Sequence, residues 1–175
     1  MIISDKFRWG LYKTAVFIFC LVPFLWLLSD AVLGRLGPNP IETLHFCLGD
    51  WALRFLCIGL ALTPVRMLTG RTWMMRYRRM MGLYAFFYAS LHLLVFVVLD
   101  QSMSWEQIKD EVPKSPYIII GLLTYLLLLP LALTSTKKMR KRLGQHWKKL
   151  HKLVYVAAVT AIIYYLWLVK SDYNE

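Results

Sequence analysis

His92 stands inside the apolar stretch RRMMGLYAFFYASLHLLVF (Arg78 to Phe96), and His151 stands where the basic stretch RLGQHWKKLHKLVY (Arg142 to Tyr155) runs into a second apolar run. Polar side chains in hydrocarbon are costly and mark function by default. Three chemistries suit these imidazoles: axial ligation of haem iron, a proton relay, or a hydrogen bond to a neighbouring helix. Haem b asks for the most, because it needs an axial imidazole, an apolar slot for its macrocycle, and Arg or Lys near a membrane face for its propionates. His92 with Arg54 and Tyr164 forms one candidate set, and His151 with Arg78, Arg79, Lys148 and Lys149 forms a second. The second set suits the phosphate of a flavin mononucleotide equally well. Asp50, one turn before Arg54, can pair with it. His45 and His146 fall at interfaces and read as solvated. Cys20, Cys47 and Cys57 are odd in number and lack CxxC spacing, so neither a disulfide nor a zinc site is expected. No Gly-rich phosphate loop announces a nicotinamide domain, so reducing equivalents must arrive from elsewhere, and no residue is nominated for bond-making catalysis.

These residues need a scaffold, and composition says which. The chain has 175 residues, 58% of them hydrophobic, with a mean hydropathy of +0.50. That is too apolar for a soluble domain of this length. Five stretches, approximately 12–28, 45–65, 80–99, 116–133 and 152–169, come close to the ~20 residues that a ~30 Å hydrocarbon layer requires. Backbone polar groups cannot go unpaired in lipid, so each must be a helix. The expectation is an all-α, polytopic membrane bundle of five transmembrane helices forming one domain over 1–175. Pro23 and Pro130 lie inside helices and should bend them. Residues 33–40 form a turn, and Asp100 to Ser115 forms a longer polar loop with Trp105 resting on the interface.

Charge gives an orientation. Lys6, Arg8 and Lys13 precede or open the first helix; Arg66, Arg71, Arg76, Arg78 and Arg79 surround the second loop; eight more basic residues lie between Lys137 and Lys152. That places 16 of the 21 basic residues on one side, where Asp5 is the only one of the 10 acids. Short Lys- and Arg-rich loops stay cytoplasmic, so the N-terminus is expected inside and the C-terminus outside. The net charge of +11 then reflects topology, not affinity for nucleic acid, because the basic residues are divided among separate loops. The start does not read as a cleaved signal peptide.

Counting along the helices places the candidates in two layers. His92 lies about eight residues below the outer end of its helix, ~12 Å deep; Arg54 reaches ~13 Å and Tyr164 ~9 Å by the same rise. His151, Arg78 and Arg79 open their helices from the inner side. Thirteen residues separate His151 from Tyr164, about 20 Å of helix, so one small cofactor cannot touch both. That interval does not return to the same helix face, and a π-bulge or bend would be needed for both to point inward.

The stretches quoted above, together with SPYIIIGLLTYLLLLPLALTST (Ser115 to Thr136), PFLWLL and ALRFL, resemble the MsrQ or YedZ family. These are haem-binding membrane subunits of the bacterial periplasmic protein-methionine-sulfoxide reductase system, related to ferric reductase and NADPH oxidase transmembrane domains. The likeness runs from about Leu21 to Lys170, and the pairing of R-R-x-x-G-L…L-H with R-L-G-x-x-W-x-x-L-H is fairly specific. It implies a multi-pass electron carrier of the inner membrane, taking electrons from quinol or a cytosolic flavin reductase and delivering them to a periplasmic molybdopterin-containing partner. That partner reduces oxidised methionines in periplasmic proteins. The resemblance also implies haem b and, in some members, FMN. His92 matches the family histidine of the third helix, His151 the one opening the fifth, and His45 coincides with a further one. At the family's H-Y-L-W, where the histidine is axial, this chain reads Tyr164-Tyr165-Leu166-Trp167. Tyr164, as tyrosinate, or His45 is then the alternative axial ligand, while an aromatic belt with Trp167 and Tyr173 accounts for Tyr164 equally well. The family usually has a sixth helix that this chain does not reach. A non-redox anchor or transporter that has lost haem is the competing class.

Overall fold

The computed structural model describes residues 5–101, 103–104, 106, 109, 112–113 and 115–172. Among them all regular structure is helical. In chain order the helices are α1 (Asp5–Val32), α2 (Pro40–Thr69), α3 (Arg78–Val95), α4 (Pro116–Leu133), α5 (Lys137–Leu143), α6 (Gln145–Leu150) and α7 (Leu153–Asp172). A 3-10 turn, Trp73–Arg76, precedes α3, and a π-helical turn, Phe96–Asp100, continues it. Among the described residues, five spans are long and apolar enough to cross a membrane: Arg8–Val32, Pro40–Thr69, Arg78–Asp100, Pro116–Leu133 and Gln145–Lys170. Trp105 and Tyr173, expected on the interface and in the aromatic belt, lie outside the described residues, as do Asp110, Glu111 and Glu175 of the acidic side.

Several helices outrun the apolar stretches that betray them. α2 starts at Pro40, five residues before the expected His45. Pro40 sits in its first turn, where a missing N–H costs nothing, and Asn39 donates to Glu42 at 2.9 Å just outside. The inner connection after α4 is also helical where only a loop was anticipated. Thr136 accepts from the Met139 N–H at 3.2 Å, which caps α5. Its charged residues are good helix formers at a surface. Residues 151–152 form a turn between α6 and α7. That turn interrupts the helical phase, so the expected thirteen-residue mismatch between His151 and Tyr164 along one helix does not arise. The π-helical segment instead continues α3 from Phe96, one turn beyond His92.

α2 packs most extensively on α3, and α4 on α7. The first pair is filled by rings: Phe55 stacks on Tyr88 at 5.3 Å between centroids, and Phe87 meets Tyr88 edge-on at 5.3 Å. Tyr88 is fully buried, and its hydroxyl enters the backbone ladder of α1 beside Pro23. The Phe24 N–H donates to it at 3.1 Å, and it donates to the Cys20 carbonyl at 2.9 Å. A regular helix pairs those two groups with each other, so the tyrosine occupies the opening that the proline makes in the helix. Tyr84 adds a bond to the Phe17 carbonyl at 2.7 Å. The second pair, α4 and α7, is joined by Thr124 donating to Thr160 at 2.8 Å. Interhelical hydrogen bonds in membranes contribute only ~0.6 kcal/mol on average, whereas each aromatic pair adds ~0.5–1.5 kcal/mol beyond its buried area. Ring packing is therefore the larger share of what joins α1, α2 and α3.

The basic groups gather at one end. Arg76 lies 4.2 Å from the Trp9 ring centroid, which ties the first turns of α1 to the loop before α3. Arg78 and Arg79 share a cavity with Lys137, Arg140, Lys148 and Lys152. Separate loops thus converge on one face of the bundle.

Candidate functional site: two histidine cavities

The first cavity, about 650 Å³, opens at the end of the bundle opposite the basic face and lies among α2, α3, α4 and α7. Its chemistry centres on His92. The ring Nδ1 is 3.0 Å from the backbone carbonyl of His45. A carbonyl can only accept, so Nδ1 carries the proton and Nε2 keeps its lone pair. Nε2 lies 3.2 Å from the Tyr164 hydroxyl, which must be the donor in that contact. The His45 ring packs edge-on against His92 with centroids 4.5 Å apart, its own Nδ1 being 3.3 Å from the His92 Nδ1.

Two glycines make this approach possible. A Cβ on Gly49 would stand 3.3 Å from the His92 ring, so its absence lets the imidazole reach the carbonyl of His45 on the same helix. A Cβ on Gly121 of α4 would stand 3.2 Å from the Tyr164 ring, and the bare backbone there gives that ring a flat surface. Neither glycine stood out in the sequence. The signal was present as His45-x-x-x-Gly49, which puts the glycine one helical turn beyond the histidine on the same face.

The structure brings His92 and Tyr164 together, and it adds His45, which its position at the interface suggested was solvated and which the family resemblance offered as an alternative axial ligand. It does not bring Arg54 there. Arg54 is exposed, pairs with Asp50 at 2.6 Å and lies 4.9 Å from the Trp51 ring centroid. The level assigned to it was wrong because α2 begins at Pro40. His45 is already more than a turn inside the helix, and Arg54, nine residues on, is ~13 Å further toward the basic end. The polar residues at the mouth of this cavity are Asn39, Glu42, Asp100 and Gln101, and among the described residues no lysine or arginine lines it.

The second cavity, about 490 Å³, lies at the basic end and gathers His151, Arg78, Arg79 and Lys148 of the set the sequence suggested, but not Lys149, together with Lys137, Arg140 and Lys152. Here the histidine is held differently. Thr134 spends its one hydroxyl proton on the Pro130 carbonyl at 2.6 Å. Toward the His151 Nε2, 3.2 Å away, it can only accept, so Nε2 is the protonated nitrogen. The ring stacks on Trp147 at 4.0 Å, and Trp147 is fixed by a 3.0 Å bond from its Nε1 to the Thr134 carbonyl. His146 is exposed.

Among the described residues no group of three or more His, Cys, Asp or Glu is placed to hold a bare metal ion. The donor set at His92 would suit instead a metal carried by an organic macrocycle, with His92 as the residue that would hold it and Tyr164 beside it. The Nε2 lone pair faces the cavity, the other nitrogen is locked, and the volume falls within the ~300–1,000 Å³ of cofactor pockets. A metal held by both His92 and Tyr164 would have to take the place of the 3.2 Å hydrogen bond that now joins them.

Residues 48–162 match the family described as ferric reductase like transmembrane component. With its five spans, the molecule is a multi-pass membrane protein of that class. A protein of Rhodospirillum rubrum is 47% identical over 175 residues, covering 99% of this chain and 83% of its own length. Proteins of Xanthomonas euvesicatoria pv. vesicatoria and Xanthomonas campestris pv. campestris are each 44% identical over 169 residues, covering 93% of this chain and 78% of their own length. All three bear the name protein-methionine-sulfoxide reductase heme-binding subunit MsrQ. The chain belongs to the MsrQ family.

Proposed function

We propose that this protein is a haem-bearing, membrane-embedded electron carrier that serves a protein-methionine-sulfoxide reductase and performs no bond chemistry on the final substrate. The observation that carries the reading is the His92 tautomer: Nδ1–H is fixed by the His45 carbonyl, and the Nε2 lone pair faces a cofactor-sized cavity, in a family whose members are named for haem binding. Haem b bound there supplies a one-electron iron centre. The protein's own residues hold His92 at a fixed angle, place Tyr164 across from it, and keep water out with Phe96, Ile118 and Leu168. Excluding water keeps the surroundings of the charge-bearing group rigid and of low polarity.

At the basic end, Arg78, Arg79 and Lys148 fit an anionic group such as the FMN phosphate, with His151 on Trp147 beside it. With its Nε2 held by Thr134, His151 has its lone pair on Nδ1, and that nitrogen would have to serve if His151 ligated a second haem. Electrons enter on this side, from a cytosolic flavin reductase or from the quinone pool. They leave at the His92 end toward a periplasmic molybdopterin-containing partner subunit. The convergence of basic loops on one face supports an N-terminus inside, a C-terminus outside and residence in the bacterial inner membrane. Residues 1–175 act as one domain.

A visible spectrum of the detergent-purified protein tests this reading. A Soret band that shifts on dithionite is expected, and a protein that stays colourless when supplied with haem would overturn it. Tyr164→His should convert the spectrum to that of a low-spin, bis-imidazole haem, because residue 164 already faces Nε2. One observation favours a non-redox anchor or transporter: the Tyr164 hydroxyl already satisfies Nε2 at 3.2 Å. In that case Tyr164→Phe and Tyr164→His would both remain without haem.

A further inference from the structure

His45 has no part in ligation as the site is drawn, yet both its backbone and its ring are turned on His92. We propose that His45 is a positioning residue: its carbonyl and its Nδ1 together accept from the His92 Nδ1–H, fixing which nitrogen is offered to iron and raising that nitrogen's basicity. This rests on the reading of His92 as the haem ligand.

The donor and acceptor roles permit one assignment. The His92 Nδ1 proton has two acceptors within reach, the His45 carbonyl at 3.0 Å and the His45 Nδ1 at 3.3 Å. Because the His92 Nδ1 is already a donor, the His45 Nδ1 can only present its lone pair to it, and His45 carries its own proton on Nε2. The nitrogen of His45 that would have to bind iron by a lone pair is therefore aimed at another imidazole, and its other nitrogen is protonated. The edge-on packing of the rings, with centroids 4.5 Å apart and planes at 85°, and the edge-on contact of His45 with Phe96 at 6.2 Å hold that orientation. Gly49, one turn along α2, leaves the space that the arrangement requires. Histidines that bind metals characteristically donate their second N–H to a carboxylate, carbonyl or water, which sets the tautomer and makes the ligating nitrogen a stronger donor. Here one residue supplies two acceptors. A stronger donor favours the ferric state, so His45 should hold the midpoint potential down.

The test uses the full-length, haem-loaded protein, with potentiometric titration for the midpoint and electron paramagnetic resonance for the spin state. His45→Phe keeps the ring contacts and removes the side-chain acceptor, while His45→Asn keeps an acceptor near the Nδ1 position. The expected result is an upward shift of the midpoint in His45→Phe, a value close to wild type in His45→Asn, and an unchanged spin state in both. If His45→Phe does not accumulate, His45→Leu takes its place with the same expectation. An unchanged midpoint in the variant lacking the acceptor overturns the proposal. A change of spin state in both variants also overturns it, by making His45 an axial ligand. If the wild-type protein takes up no haem, the reading of His92 fails and this inference fails with it, an outcome distinct from a haem-loaded protein whose potential ignores residue 45.

Discussion

The two histidine cavities use the same side chain in opposite protonation registers. At the acidic end His92 gives its Nδ1 proton to a backbone carbonyl and presents the Nε2 lone pair to the cavity; at the basic end His151 gives its Nε2 proton to Thr134. The surroundings differ in the same sense. The first cavity has Glu42 and Asp100 at its mouth and, among the described residues, no cation in its lining, whereas the second is lined by Arg78, Arg79, Lys137, Arg140, Lys148 and Lys152. A histidine near a membrane span is thus not one kind of site. Which nitrogen is free depends on the neighbouring acceptor, and that acceptor is a carbonyl bared by Gly49 in one case and a threonine back-bonded to its own helix in the other.

The contrast can be broken by substitution. The largest effect belongs to His92→Ala, which should lower haem retention beyond the ~100-fold seen when outer-shell partners of a metal ligand are lost, measured as Soret absorbance per polypeptide. Next comes the basic cavity. Each charge-assisted hydrogen bond contributes ~1.5–3 kcal/mol, so Arg78→Ala should weaken FMN binding by about 10- to 100-fold in fluorescence titration and leave the Soret band untouched. Gly49→Ala sharpens the comparison from the other side. The added methyl meets the His92 ring at 3.3 Å, so the ring must retreat from the carbonyl, and retention should fall by about 10-fold, the lower end of outer-shell losses. The smallest effect is expected for Tyr88→Phe, which removes two bonds to α1 of ~0.6 kcal/mol each. It should lower Tm by about 2–4 °C without altering the spectrum, followed by thermal melting in detergent.

Much of this arrangement was legible in the sequence. Five lipid-length apolar stretches and the grouping of Lys and Arg indicate the helical bundle, because hydrocarbon admits few alternatives. His92, Tyr164 and the basic cluster around His151 stood out as polar groups in or beside apolar runs. What could not be read is where polar helix ends continue past the apolar stretch. α2 runs from Pro40 to Thr69, and that extension moved Arg54 out of the outer layer and His45 into it. The role of Gly49 was hidden for a related reason: a glycine shows its purpose only when the group it admits comes from another helix. The turn at residues 151–152 was equally silent, since Leu150 to Tyr155 carries no proline or glycine to announce it.

The difference between the two histidines reduces to one measurement, the haem content of purified His92→Ala and His151→Ala proteins by pyridine haemochrome assay against wild type. The expected result is a colourless His92→Ala protein and a His151→Ala protein that keeps the haem at His92. Full haem content in His92→Ala, or complete loss in His151→Ala with His92 intact, would contradict it.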